Sequence, residues 1–193
     1  MLLTAHNKPM AHTTIQQQPL KILVLCTGNS ARSVMAEGLF NGLMGDYFEA
    51  YSAGSHPAGK VNPFALEQIA PLALGYEVRS KSWNEFAQDQ AIELDLILTV
   101  CGNAAQEHCP HFVGAPQSIH WGLPDPAGVS GSDDKIRRAF NACYNVFEWR
   151  IQQLRHQLEL QSPLNVIAVM QALANKFPQS SEINEHGFSG GIQ

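Results

Sequence analysis

The feature that most constrains this chain is segment 26–33, which reads CTGNSARS. It directly follows the apolar run 22–25 and directly precedes a segment whose apolar residues recur at helical spacing. A thiol, a short loop with a glycine and an arginine therefore lie at a strand-to-helix turn. At such a turn the outward-pointing backbone N–H groups and the helix dipole favour negative charge, which stabilises a thiolate. The segment predicts a site that holds a nucleophile and an oxyanion together.

Composition limits the classes of partner. The chain has 193 residues, is 45% hydrophobic and 15% charged, and carries a formal charge of −5, which is typical of one globular domain. No cluster of Lys and Arg predicts a nucleic-acid or anionic-membrane surface, so any anion site is local. We expect no membrane-spanning helix and no signal peptide, and therefore a cytoplasmic protein whose cysteines stay reduced.

Hydrophobic patterning predicts alternating strands and helices. The predicted strands cover 20–25, 47–53, 94–100 and 117–121; helices are predicted from Ser33, from Asn62-Pro63, over 132–160, and from Ser162-Pro163 to about Phe177. This order predicts a single three-layer α/β domain with a four-stranded parallel sheet flanked by helices. We divide the chain into a disordered tail (1–19), the domain (20–160), and a C-terminal helix with a flexible tail (161–193).

Three reactive side chains follow predicted strands. Cys26 follows the first strand, Cys101 the third and Asp125 the fourth. In open parallel sheets, ligands bind beyond the carboxyl ends of the strands. We therefore expect these three residues to meet at one edge of the sheet, although they are far apart in sequence.

The loop after the first strand has the chemistry of an oxyanion site. Arg32 can bind two oxygens of an anion as a fork, Ser33 can donate a hydrogen bond to a thiolate, and Asn29 tolerates left-handed backbone dihedrals. The predicted oxyanion-binding residues are Thr27, Gly28, Asn29, Ser30, Ala31, Arg32 and Ser33. The alternative is that Cys26 is a buried structural cysteine at a strand end.

Several motifs together carry a family resemblance. Segments 24–38 (VLCTGNSARSVMAEG), 51–55 (YSAGS), 80–83 (SKSW), 99–105 (TVCGNAA), Cys109-Pro110 and 120–128 (HWGLPDPAG) occur in that order. They resemble the arsenate reductases built on the low-molecular-weight protein tyrosine phosphatase fold, from about Leu20 to Leu160. The resemblance implies that Cys26 is the nucleophile and that Arg32 and the loop amides hold the anion.

The resemblance also implies that Asp125 is a general acid. Prolines on both sides stiffen its loop, and expulsion of hydroxide from an arsenate adduct requires a proton. The alternative is a turn-forming Asp beside Pro. Phosphatases of this fold usually carry an aromatic residue after the Asp-Pro pair, whereas Ala127-Gly128 stands here. That difference favours a small inorganic anion over an aryl phosphate.

Two further thiols decide between a reductase and a phosphatase. Reduction of As(V) to As(III) takes two electrons, which thiols supply when they form a disulfide. The resemblance implies that Cys101 attacks the Cys26–arsenic adduct and that Cys109 resolves it, leaving a Cys101–Cys109 disulfide for thioredoxin. The alternative is that Cys109 is an ordinary semi-buried cysteine and that glutathione with glutaredoxin resolves the adduct.

The spacing of these two cysteines adds a condition. If 103–109 is helical, the two Cα atoms lie about 12 Å apart, whereas a disulfide tolerates about 4.4–6.8 Å. We therefore predict that this segment unwinds during the cycle, with Gly102 and Asn103 as the hinge. Strong protection of the segment from hydrogen exchange in both redox states would contradict this.

Other readings of the same residues remain. Cys101, His108, Cys109 and His111 fit no standard zinc site. Asn29, Glu37 and Ser52 match the potassium ligands of some relatives, but Trp83 replaces a further carboxylate. We expect no bound metal, no tightly bound cofactor, a core position for Cys143, and a monomer or weak dimer. The rivals to arsenate reduction are a phosphatase acting on phosphotyrosine or small phosphate esters, and a non-catalytic anion- or metal-binding module.

Overall fold

The four strands form one parallel sheet. The computed structural model describes residues 18–88, 90–106, 109–160 and 165–177. The strands are β1 (Leu20–Cys26), β2 (Phe48–Gly54), β3 (Leu96–Thr99) and β4 (Gln117–His120), in the order β2-β1-β3-β4. All pairs are parallel, with Cys26 opposite Gly54 and Leu25 opposite Thr99. The predicted α/β class and four-stranded parallel sheet are confirmed.

The third strand is shorter than predicted at both ends. Leu94 and Asp95 precede the first paired residue, Leu96; the Leu94 amide bonds to Val113 O and the Asp95 amide bonds to Lys21 O of β1. Val100 lies just beyond the β3–β4 pairing, which ends at Thr99, and its amide bonds to Leu25 O of β1. These bonds satisfy the buried backbone groups without extending the strand.

Five α-helices accompany the sheet in the described part of the chain. They are α1 (Arg32–Met44), α2 (Pro63–Ile69), α3 (Gly102–Gln106), α4 (Asp133–Leu160) and α5 (Val166–Leu173), with short 3₁₀ turns at Ala70–Leu72, Trp83–Phe86 and Pro126–Gly128. As predicted, Asn62 caps α2 and Pro63 opens it. None of the helices in the described ranges is both long and apolar enough to cross a bilayer.

The observed bounds of the last helix differ from the predicted ones. The predicted start at Ser162-Pro163 lies outside the described residues, and α5 begins at Val166, where the Asn165 side chain accepts a hydrogen bond from Ala168 N. It ends at Leu173 rather than near Phe177, since Lys176 N bonds to Leu173 O and tightens the turn. Residues 1–17 and 178–193 of the predicted tails also lie outside the described residues.

Apolar side chains pack on both faces of the sheet. The larger cluster joins the strands to α1, α2, α4 and α5, and its largest fully buried side chains include Trp121, Phe40, Phe140 and Phe147. The smaller cluster covers the other face with Phe86 and Phe112. The predicted core position of Cys143 on α4 is confirmed, because Cys143 lies in the larger cluster. This packing holds the carboxyl ends of β1, β3 and β4 at one edge.

Candidate active site

Cys26 ends β1 at the centre of the sheet and begins the anion loop, residues 26–33. Its sulfur is buried and accepts a hydrogen bond from Asn29 N at 3.1 Å. The Ser33 hydroxyl lies 2.9 Å from the same sulfur. Ser33 stands in the first turn of α1, so Cys26 lies at a helix N-terminus, where a negative charge is favoured. Hydrogen-bond donors at a helix N-terminus are contacts of the kind that stabilise a thiolate.

A neighbouring segment determines which way the anion loop faces. The strap, residues 55–62, donates main-chain hydrogen bonds of 2.9 Å from His56, Ala58 and Asn62 to the carbonyls of Thr27, Gly28 and Ser30. In a trans peptide the next N–H points opposite to the carbonyl. The amides after these carbonyls, at Gly28, Asn29 and Ala31, therefore point away from the strap. The bond from Asn29 N to the Cys26 sulfur shows that this is the Cys26 side.

Asn29 occupies the left-handed region predicted for it, with φ of 40°. Its side chain is buried, and its amide nitrogen donates to Ser33 Oγ at 2.9 Å and to Ser52 Oγ at 2.8 Å. Its amide oxygen accepts from the main-chain nitrogen of Lys81 at 2.6 Å. Asn29 therefore joins the anion loop to β2 and to the segment before Trp83–Phe86.

A buried ion pair lies behind Asn29. The Lys81 ammonium is 3.0 Å from the Glu37 carboxylate, and Ser52 Oγ donates to that carboxylate. In the sequence, Glu37 and Ser52 match only the potassium ligands of relatives, and Lys81 is not among the predicted site residues. The available signal was motif 80–83, in which a lysine stands between two serines.

Arg32 and Asp125 come together across the site. Arg32 Nη2 lies 3.2 Å from Asp125 Oδ2, and Arg32 Nη1 donates to Leu123 O at 2.9 Å. Asp125 also caps the 3₁₀ turn Pro126–Gly128, since its side chain accepts from Ala127 N at 3.2 Å. Its side chain is 51% exposed, which leaves the carboxyl accessible from solvent. The pair combines an anion-binding fork with a group able to deliver a proton.

Cys101 is close to the anion loop, as the convergence of strand ends predicts. Its sulfur is buried, lies 3.7 Å from Thr27 Oγ1, and accepts from Ala104 N at 3.3 Å in the first turn of α3. Cys109 is exposed, and α3 ends at Gln106, before it. The predicted unwinding of this segment stays a prediction.

No group of three metal-ligating side chains occurs within ranges 18–88, 90–106, 109–160 and 165–177, and His108 of the zinc reading lies outside them. All four cysteines carry thiols rather than disulfides. Cys143 is in the core, where burial raises the pKa of its thiol to about 12. Burial in the core therefore disfavours the thiolate of Cys143.

A family model described as low molecular weight phosphotyrosine protein phosphatase matches residues 21–164. An arsenate reductase of Halalkalibacterium halodurans is 39% identical over 59% of this chain and 79% of its own length. Arsenate reductase 2 of Staphylococcus epidermidis is 35% identical over 67% of this chain and 96% of its own. The crystal structure of an arsenate reductase from Archaeoglobus fulgidus matches with a TM-score of 0.50 and 29% identity, covering 69% of this chain and 97% of that one.

Proposed function

The chain belongs to the low molecular weight phosphotyrosine protein phosphatase family, and we propose that it uses the anion loop of this family to reduce arsenate to arsenite. Relatives named arsenate reductase support this, with identities of 39% and 35%. The observation that carries the proposal is the second thiol. Cys101 lies 3.7 Å from the hydroxyl of Thr27, the residue after the nucleophile. Hydrolysis of a phosphate ester has no use for such a thiol, whereas a two-electron reduction requires one.

The first step forms a covalent adduct on Cys26. The thiolate sulfur attacks arsenic, an S–As bond forms, and one As–O bond breaks. The amides of Gly28 and Ala31 and the Arg32 guanidinium hold the remaining oxygens. Asp125 gives its proton to the departing oxygen, which leaves as water. A positioned general acid contributes about 10²–10⁴-fold in rate.

The second step transfers two electrons to arsenic. The Cys101 thiolate attacks the Cys26 sulfur, an S–S bond forms, and the S–As bond breaks. Its electron pair stays on arsenic, which leaves as arsenite. The hydrogen bond from Ala104 N to the Cys101 sulfur stabilises the attacking thiolate.

The enzyme is then restored by thiol–disulfide exchange. We propose that Cys109 attacks Cys101, which frees Cys26 and leaves a Cys101–Cys109 disulfide. Thioredoxin, or glutaredoxin with glutathione, supplies the two electrons that reopen this disulfide. The exposure of Cys109 supports its access to a protein donor.

The substitution Cys101→Ser tests the reduction. We expect multiple-turnover arsenate reduction to fall to background, while hydrolysis of p-nitrophenyl phosphate stays within about threefold of wild type. Cys143→Ala is the control for loss of a thiol, because that cysteine is in the core, and it is expected to leave arsenate turnover unchanged. Sustained arsenate turnover by the Cys101→Ser variant would refute the mechanism.

The donor is tested with Cys109→Ser. We expect this variant to lose turnover with thioredoxin and thioredoxin reductase, because it cannot form the exchangeable disulfide. Retained turnover with glutathione and glutaredoxin, in wild type and variant alike, would assign resolution to the external thiol instead.

Phosphatase activity is the second candidate. An apolar cavity of about 540 Å³ adjoins Asp125 and is lined by residues that include Leu123, Val129, Val146 and Phe177. Such a cavity can receive the organic group of a phosphate ester. A kcat/KM for an aryl phosphate that exceeds the kcat/KM for arsenate would favour this candidate.

The cellular role follows from the same chemistry. We propose that the reaction serves arsenical resistance in the cytoplasm, where reduced thiols are maintained. Deletion of the gene is expected to lower growth in arsenate but not in arsenite, since only arsenate requires the reduction.

A further inference from the structure

A continuous relay of buried polar groups leads away from the nucleophile. From the Cys26 sulfur it passes to Ser33 Oγ, Asn29 Nδ2 and Ser52 Oγ, and it ends at the Glu37–Lys81 ion pair. Each of these residues is at most 8% exposed. Water therefore does not screen the relay, and its hydrogen bonds and charges act at low dielectric.

The direction of every hydrogen bond in the relay follows from one contact. Asn29 Oδ1 accepts from the Lys81 main-chain N–H at 2.6 Å, so the amide nitrogen of Asn29 must face the two serines. Asn29 Nδ2 then donates to both Ser33 Oγ and Ser52 Oγ. Because Ser33 Oγ accepts from Asn29, its own proton is available to donate to the Cys26 sulfur at 2.9 Å.

The Glu37–Lys81 ion pair determines the net charge at the far end of the relay. Ser52 also accepts from Asn29, so its proton goes to Glu37, which must be an acceptor there. A compensating cation stabilises the charge of a buried carboxylate, and the Lys81 ammonium lies 3.0 and 3.3 Å from the two Glu37 oxygens. Without the Lys81 ammonium, the negative charge of the Glu37 carboxylate would disfavour a second negative charge on Cys26.

We propose that Lys81 is a positioning residue for the Cys26 thiolate. Its ammonium cancels the Glu37 charge, and its main-chain N–H orients Asn29 so that Ser33 donates to the sulfur. The proposal rests on Cys26 being the nucleophile of the proposed function. The alkylation rate of Cys26 tests it without arsenate, since the thiolate is the form that alkylates.

Other charged groups face the two ends of the relay. Arg32 and Asp125 lie on the Cys26 side. Behind the ion pair, a cavity of about 620 Å³ is also lined by Glu49, Glu77, Glu85, Arg79, Tyr51 and Tyr76. The Glu37 charge raises the pKa of Tyr51 and of Tyr76, in both cases as a smaller contribution than burial. None of these groups changes in the variants below, so differences between variants report on Lys81 and Glu37.

The test is a charge cycle with Lys81→Met, Glu37→Gln and the double variant. Iodoacetamide labelling of the Cys26 peptide is followed by mass spectrometry across pH. Removal of Lys81 leaves the Glu37 charge uncompensated at the far end of the relay, and we expect this to raise the midpoint of the profile by about one pH unit. Glu37→Gln leaves the cation and lowers the midpoint by a similar amount. In the double variant we expect the midpoint to return close to the wild-type value.

The opposite shifts distinguish a charge role from a packing role. Lys135→Met removes an exposed lysine and is expected to leave the profile unchanged. Midpoints that move in the same direction in both single variants, or do not move, would overturn the proposal. If the Lys81→Met variant does not fold, the Glu37→Gln variant alone tests the proposal. An alkylation midpoint of Glu37→Gln that is not lower than that of wild type would then overturn it. Arsenate turnover by wild type distinguishes failure of this proposal from failure of the proposed function. If the alkylation midpoints shift as expected but wild type does not reduce arsenate, the role of Lys81 is supported and only arsenate reduction is refuted.

Discussion

The substitution Gly54→Ala tests how closely β2 approaches the anion loop. Gly54 ends β2 opposite Cys26, and a Cβ added there would lie 2.5 Å from Thr27 O and 3.0 Å from Asn29 N. Relief of this overlap requires a shift of about 0.5–1 Å, since carbon makes unstrained contacts only near 3.5 Å. Both partners are held in place, because Gly54 N bonds to Lys81 O and Thr27 O accepts from His56 N, each at 2.9 Å.

The cost is expected in stability and in rate. Overpacking of a rigid site costs about 1–3 kcal/mol, which urea unfolding measures as a lower free energy of unfolding. Displacement of a reacting group by about 1 Å costs on the order of 10²-fold, so kcat/KM for arsenate should fall by about that factor.

The matched control for this test is Gly75→Ala. No atom in the described part of the chain lies within 4 Å of the added Cβ, and the backbone is not left-handed. We expect this variant to stay within about 0.5 kcal/mol of wild type. A Gly54→Ala variant within threefold of wild-type kcat/KM and within about 0.5 kcal/mol in stability would refute the close-approach argument.

Three further substitutions test the core and the acid. Burial raises the pKa of Cys143 to about 12 from an ordinary 9.0, so only the unfolded chain releases this proton above pH 9. Wild type should therefore lose about 1.4 kcal/mol of unfolding free energy between pH 8 and 10 that Cys143→Ala does not lose, and equal losses in urea titrations would contradict this. Arg150 is fully buried, burial lowers its pKa to about 10, and within the described residues its Nη1 and Nη2 have no hydrogen-bond partner. Arg150→Met should stabilise the fold by about 1–2 kcal/mol in chemical unfolding, whereas a loss would show that its ring contacts outweigh the unpaired groups. Asp125→Asn should lower kcat for arsenate by about 10²–10⁴-fold, while Glu67→Gln, which alters an exposed ion pair, should not; a loss under tenfold would exclude Asp125 as the acid.

The sheet and the ends of its strands were predictable because their signals are local. The apolar runs before Cys26 and Cys101 predict buried parallel strands, and parallel strands bring their carboxyl ends to one edge. Asn29 was expected to tolerate a left-handed backbone because of its residue type, and φ of 40° agrees. The short last helix was less predictable, since its start depends on the cap that Asn165 provides.

The relay behind the nucleophile could not be derived from the sequence alone. Lysine is a residue type typical of protein surfaces. Only the position of Lys81 against Glu37, 44 residues away, makes it a buried cation. The same is true of Thr27 beside Cys101 and of the strap that turns the loop amides toward Cys26. The sequence by itself predicted Cys26 as the nucleophile, the sheet edge and the kind of anion site, because each prediction follows from residue type and local periodicity. The tertiary structure alone decided which groups compensate one another's charge, because hydrogen bonds and ion pairs depend on distances of about 3 Å between segments that the sequence keeps far apart.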